Sequence, residues 1–275
     1  MRALYLAVAA AAIFSASAVP AQPADMSAND MAAKLDASIA GAHRGDAARA
    51  RDPYRHPKET LLFFGLKPGM TVVEILPGAG WYTDILAPAL KDSGRLIAAH
   101  YSANGSAGQK RQRETFIAHV QEQAALFGPV AVTSFAKGNL HGIAAPGSAD
   151  MVLTFRNVHN WAMGGFAEEA FASFYQVLKP GGVLGVVEHR LPEDRSDPRH
   201  DSGYMKMSEI VRLAQAAGFK LDATSEINAN PKDTADHPKG VWTLPPVYAL
   251  GDTDRAKYAA IGESDRMTLR FVKPK

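Results

Sequence analysis

Residues that could carry chemistry gather at two places. The first is Glu74-Ile-Leu-Pro-Gly-Ala-Gly-Trp-Tyr-Thr, where the apolar run Thr71–Leu76 meets Pro77, Gly78 and Gly80 and a helical pattern follows. A strand entering a helix through a glycine turn can hold an anionic cofactor group. Glycines admit close backbone approach, and the free N–H groups and dipole of the helix start attract negative charge. Glu74 is a charge inside an apolar run and needs a donor, either a loop N–H or a cationic ligand group. The second place is Arg156-Asn-Val-His-Asn-Trp161, directly after the apolar run Ser148–Phe155. A histidine, with an unperturbed pKa of about 6.5, suits a general base. His159 is the first candidate, and His189, at the end of the run 183–190, is the second. The plain structural alternatives are a ligand-free strand–turn–helix at the first place, and His159 and Asn160 capping a helix with Trp161 in the core at the second.

The elements that must position these residues alternate. The patterns predict strands over 71–76, 94–101, 130–135, 148–155, 183–190, 220–226 and 265–271, with helices over 109–126, 166–178 and 207–217 among those between them. Lys179-Pro-Gly-Gly182 reads as the turn into the fifth strand, and 228–254 reads as proline-rich and irregular. Alternation of this kind gives a largely parallel α/β sheet covered on both faces. Ligands of such a sheet sit beyond the carboxyl ends of the strands, at the switch point. Ahead of the sheet, Ser27 opens a helix with Met31, Leu35 and Ile39 on one face, and 41–51 is a frayed helix or a linker. The two prolines of Arg51-Asp-Pro-Tyr-Arg-His-Pro57 argue against regular helix. That segment is either a lid bringing Arg51, Tyr54, Arg55 or His56 near a substrate, or a solvated turn. A short helix over 58–64 follows it.

Composition narrows the classes. The 275 residues are 47% hydrophobic and 21% charged, with a net charge of +2, which suits one globular domain with additions. No basic run interleaves with aromatics, so nucleic acid is not an expected partner. The absence of cysteine excludes disulfides, thiolate metal sites, cysteine nucleophiles and an acylated cysteine anchor. Met1-Arg2, the apolar run Ala3–Phe14 and the small residues Ala16-Ser-Ala18 and Val19-Pro-Ala21 form the pattern of a secretory signal peptide. The apolar run is shorter than the about 20 residues of a membrane span. The expected organisation is a signal peptide over 1–21, a helical extension and lid segment over 22–65, and the α/β domain over 66–275. The mature chain would begin near Val19 or Gln22, periplasmic or secreted, with no stable membrane anchor.

Glu74-Ile-Leu-Pro-Gly-Ala-Gly resembles motif I of the class I S-adenosylmethionine (SAM) methyltransferases. Together with Arg51-Asp-Pro-Tyr-Arg-His-Pro, Phe155-Arg-Asn-Val-His-Asn-Trp and Asp265-Arg-Met-Thr-Leu-Arg-Phe, it makes the chain similar to the exported methyltransferases of proteobacteria from about residue 45 onward. The resemblance implies a doubly wound, mostly parallel seven-stranded Rossmann-like sheet, with the last strand antiparallel between the fifth and sixth. It implies SAM held by Glu74, Pro77, Gly78, Gly80 and Trp81, and Asn157 and His159 facing the transferring methyl group. Two departures stand out. Leu76 occupies the first glycine of the motif, and the second strand ends in His100 and Tyr101 where a ribose-binding acid is usual. Either His100 or Tyr101 would then meet the ribose, and Asn139 would meet the adenine or act as a turn former. The acceptor implied is a small molecule of unspecified identity. The missing acid, and export away from the compartment that makes SAM, favour an alternative: a non-catalytic or repurposed binding protein on the same fold. A metal site from His159, His189, His200 and Asp201 lacks ligand spacing, so none is expected. A dinucleotide site lacks its third glycine.

Overall fold

The computed structural model describes residues 23–275, with side chains from residue 29 onward, so the expected signal peptide lies outside the described residues. The strands are β1 (Thr71–Ile75), β2 (Arg95–His100), β3 (Val130–Ser134), β4 (Ala149–Phe155), β5 (Leu178–His189), β6 (Lys220–Ser225), β7 (Pro238–Val241) and β8 (Arg266–Val272). The N-terminal extension supplies α1 (Pro23–Ala40), α2 (Asp46–Arg49), α3 (Asp52–Arg55) and α4 (Pro57–Phe63). The sheet is flanked by α5 (Thr83–Leu90), α6 (Ala107–Glu122), α7 (Ala124–Phe127), α8 (Val158–Met163), α9 (Ala167–Val177) and α10 (Met207–Ala216), and α11 (Arg255–Ile261) precedes β8.

Seven strands form one sheet in the order β3-β2-β1-β4-β5-β8-β6. β8 runs antiparallel to both β5 and β6, and the other pairings are parallel. The order turns back on itself between β1 and β4, which pair from Val72↔Met151 to Ile75↔Thr154. That seam is the switch point where an open sheet accepts a ligand.

Side chains alternate between two buried faces, so the strands read as apolar runs without a polar side. Val72, Met151 and Leu153 join Met31 and Leu35 of α1, Leu61 of α4 and Ile85 of α5. Val73, Ile75 and Val152 join Trp161 of α8, Phe171 and Phe174 of α9 and Leu213 of α10. Gly185 lets β5 pass beneath the extension: a Cβ there would lie 2.8 Å from the Phe64 ring and 2.7 Å from Leu153.

Three expectations change. Pro53 and Pro57 do not prevent helix, because each sits in the first turn of its own short helix, α3 or α4, where a missing N–H is no loss. Lys179–Gly182 falls within the span of β5, although Gly181 keeps a turn's left-handed backbone at φ 80° and the pairing with β4 shifts register between Ala149 and Met151. Gly181 N–H donates to Lys273 O at 2.8 Å, fixing that stretch to the chain beyond β8. The segment read as irregular over 228–254 contains β7. Among the described residues no helix is long and apolar enough to cross a membrane.

Candidate active site

β1 delivers the chain to the switch point, and the turn after it keeps the backbone of a glycine turn even where glycine is absent. Leu76 has φ 47°, followed by Gly78 at 62° and Gly80 at 96°. Left-handed backbone at a leucine costs about 1–2 kcal/mol. It is held by Leu76 N–H donating to Ala99 O at 2.8 Å.

Glu74 faces the α5 side, 1% exposed. Its donor is neither a loop N–H nor a ligand group: Thr83 Oγ1 donates to Oε2 at 2.6 Å. Burial pushes its pKa up to about 8, against the Thr83 bond and with help from nearby Asp84. His100 is equally occupied. Its Nδ1 accepts from Tyr101 N–H at 2.8 Å, and its Nε2 lies 3.1 Å from Gly78 O, to which it donates. His100 therefore braces the glycine turn, with neither nitrogen left for a ribose, and burial lowers its pKa. Trp81 carries the extension: Nε1 donates to Ala48 O at 3.0 Å, and Arg44 and Arg55 lie over its ring at 4.9 and 4.5 Å.

A cavity of about 620 Å³ opens beyond the carboxyl ends of β1–β4, walled by Leu76, Tyr101, Phe135, Asn139, Asn160 and Trp161 among others. Of the residues the sequence assigned to a cofactor, Tyr101 and Asn139 reach this cavity. Glu74, Pro77, Gly78, Gly80, Trp81 and His100 stand outside its walls. Asn157 stands outside too. Its Nδ2 donates to Ile75 O at 3.1 Å and Thr154 Oγ1 at 3.3 Å, tying β1 to β4 across the seam.

A second cavity, about 270 Å³, shares Asn160 with the first and is lined by Arg51, Arg55, Arg156, His159, His189 and Trp242, among others. His159 lies in the first turn of α8 instead of capping it. The cap comes from β5: Glu188 Oε2 accepts from the N–H groups of Val158 at 2.6 Å and His159 at 3.3 Å. Glu188 Oε1 accepts from His189 N–H at 2.9 Å and from His159 Nδ1 at 3.0 Å. A carboxylate can only accept, so His159 carries its proton on Nδ1 and keeps Nε2 as an acceptor. His189 Nδ1 pairs with Ser264 Oγ at 2.5 Å. Burial first, and then the neighbouring His159 and Arg156, depress the His189 pKa far below the usual histidine range.

His159, Glu188 and His189 bring donor atoms within 4.8 Å of one another. Both Glu188 oxygens and both Nδ1 atoms are already engaged. His200 and Asp201 are elsewhere: His200 pairs with Glu209 at 3.2 Å, and Asp201 with Arg199.

Sequence reading reached the Arg51, Arg55, Arg156, His159, Asn160 and His189 side of the second cavity and missed Trp242, Glu263 and Ser264. Arg51 and Arg55 do reach it, whereas Tyr54 is 41% exposed. Glu263 holds Arg51 at 2.5 Å, Arg55 at 3.1 Å and Arg266 at 3.0 Å. Burial opposes its ionisation, but Arg55, Arg266, Arg51 and Arg156 outweigh that and set its pKa at about 2. No local signal joins residues 51 and 263, and only the tertiary fold brings them together.

Comparison with known proteins gives this architecture its place. The Aquifex aeolicus SAM-dependent methyltransferase superposes with a TM-score of 0.57 at 15% identity, over 88% of this chain and 98% of that one. The fold is that of the class I SAM-dependent methyltransferases. The [4+2]-cyclase SpnF shares it, with a TM-score of 0.58 at 19% identity, over 89% and 93% of the two chains. A Haemonchus contortus phosphoethanolamine N-methyltransferase 2 superposes with a TM-score of 0.54 at 15% identity, over 81% of this chain and 53% of that one. In sequence, the chain is 26% identical over 235 residues to a sterol 24-C-methyltransferase of Yarrowia lipolytica, covering 78% of this chain. It spans 57% of that relative's length. No family model matches the chain.

Proposed function

We propose that this chain is a SAM-dependent methyltransferase that methylates a small molecule outside the cytoplasm. The observation that carries the reading is a pair of cavities that share Asn160 in their linings, one sized for a nucleoside and one lined by His159. The larger cavity fits SAM in volume and in character. Sites for small ligands occupy about 300–1,000 Å³ and pair apolar walls with a few polar groups. Leu76, Phe135 and Trp161 supply the walls, and Tyr101 and Asn139 the polar groups toward ribose and adenine. When bound, SAM supplies an electrophilic methyl group on a sulfonium.

The protein's contribution is chiefly positioning, since an in-line displacement needs its two partners held together and aligned. Asn157 fixes the seam, and Asn160 lines both cavities. His159 Nε2 receives a proton where the acceptor's nucleophile carries one, and Glu188 steadies the resulting imidazolium through Nδ1. Export rests on the pattern of residues 1–21.

The test is calorimetric titration of the purified protein with SAM and S-adenosylhomocysteine. Micromolar binding, about −8 kcal/mol, is expected, and its absence in folded protein overturns the reading. Fractionation of cells producing the whole chain should recover it from the envelope, shortened to near Val19 or Gln22. A second reading, a binding protein on the same fold, draws on the occupied His100 at the end of β2 and on a cyclase sharing the architecture. Cofactor binding without turnover on any acceptor would favour it.

A further inference from the structure

Methyl transfer alone does not account for the charge of the smaller cavity. Arg55 is 2% exposed, and both Arg55 Nη1 and Arg156 Nη1 are buried without a hydrogen-bond partner. Four guanidinium groups, Arg51, Arg55, Arg156 and Arg266, gather near one carboxylate, Glu263, and the other carboxylate of the neighbourhood, Glu188, is bonded to His159. Glu188 is already saturated by three backbone N–H groups and His159. Glu263 is shared among three of the arginines and, among the described residues, leaves Arg156 without an ion pair. Burying a guanidinium without a partner is unfavourable by several kcal/mol. Burial, sharpened by Arg266, lowers the Arg156 pKa to about 10, and burial and Arg156 lower that of Arg55. Arg156 is also held in left-handed backbone, at φ 61°. Strain of that kind persists where the surroundings enforce it and is concentrated at functional sites.

We propose that the smaller cavity binds the acceptor through a dianionic oxyanion of the phosphate type, seated on Arg55 and Arg156. The placement of that acceptor against a methyl donor rests on the methyltransferase reading; the oxyanion seat itself does not. With the histidines neutral, the cluster carries two positive charges in excess, and a phosphate monoester carries about −1.5 to −2 at neutral pH. Guanidinium forks suit such a group because they donate in pairs to its oxygens. The unpartnered Nη1 atoms are the donors this requires. A volume of about 270 Å³ admits a phosphate with a short organic tail, and Asn160 lines both this cavity and the larger one.

The experiment is calorimetric titration of the full chain, at low chloride, with inorganic phosphate, acetate and S-adenosylhomocysteine in separate runs. Phosphate is expected to bind one saturable site at least about tenfold more tightly than acetate. Arg156→Gln should weaken phosphate about tenfold or more, the loss of one charge-assisted hydrogen bond. Arg156→Lys should fall between, because it keeps the charge and loses the fork. Arg111→Gln, an exposed position on α6, should keep wild-type affinity. No saturable phosphate binding, acetate binding as tight as phosphate, or wild-type phosphate affinity in folded Arg156→Gln would each overturn the proposal. Binding of S-adenosylhomocysteine without phosphate removes the oxyanion seat and leaves the methyltransferase reading. Binding of phosphate without S-adenosylhomocysteine does the reverse.

Discussion

Glu188→Ala probes the link between the sheet and the proposed base. The substitution removes the acceptor of three backbone N–H groups, those of Val158, His159 and His189, together with the partner of His159 Nδ1. Two of the N–H groups open α8, whose N-cap Asn157 makes no side-chain cap bond, so nothing local replaces the carboxylate. A buried donor left unsatisfied costs about 1–3 kcal/mol. Allowing for water entering from the cavity, the loss should be on the order of 3–5 kcal/mol. For a domain of this size that lowers the melting temperature by roughly 6–20 °C. Thermal melting by circular dichroism reads the effect. Glu188→Gln keeps a carbonyl for the helix and should lose about half as much. Its amide N–H₂, turned toward His159, should move the imidazole proton from Nδ1 to Nε2, visible in the ring's nitrogen chemical shifts. An Ala variant melting within about 2 °C of wild type would refute the cap and the tautomer it imposes.

Glu74 gives a pH signature. Its folded-state pKa of about 8 lies above the unfolded value of about 4.5, so the folded state holds a proton the unfolded state releases. Its contribution is complete at low pH and is lost as pH rises between those values, by up to about 1.4 kcal/mol per pH unit. Glu74→Gln should therefore gain on wild type across that window in denaturant titrations, and a difference independent of pH would contradict the assignment. Gly185→Ala should destabilise by about 1–3 kcal/mol, because its methyl meets Phe64 and Leu153; chemical denaturation measures it. Gly80→Asp should reduce stability, and weaken cofactor binding only by displacing the glycine turn, since Gly80 stands outside the larger cavity. A side chain at φ 96° is strained, and the Cβ carrying the new carboxylate would lie 3.7 Å from Asp84 Oδ1. Unchanged S-adenosylhomocysteine affinity in folded Gly80→Asp would separate the glycine turn from the cofactor.

Legibility in the sequence followed the range of the forces involved. β1, β2, β4 and the turn after β1 were visible because apolar runs and glycines act locally. The antiparallel place of β8 between β5 and β6 followed from resemblance alone, since pairing order leaves no periodic trace. The prolines at 53 and 57 misled because their effect depends on position within a helix, and α3 is tied to the segment before β8 and to the end of the glycine turn, through Arg55–Glu263 and Arg55–Trp81. His159 was recognisable as a candidate and its partner Glu188 was not, because residues 29 positions apart meet only through the pairing of β4 and β5. His100 shows the converse error: its position at the end of β2 matched a ribose-binding site, while its side chain turned to the glycine loop.

The backbone at Leu76 bears on how such proteins diversify. The peptide there has a glycine's conformation while a leucine side chain projects into the larger cavity. Exchange between the two residues at this position leaves the course of the loop unaltered and changes the depth of the chamber. The residue works as an adjustable floor: a lineage can widen or narrow the space beside the seam in one substitution, without rebuilding β1 or the turn. Homologues with different occupants at this position should then share a backbone and differ in the ligands they admit.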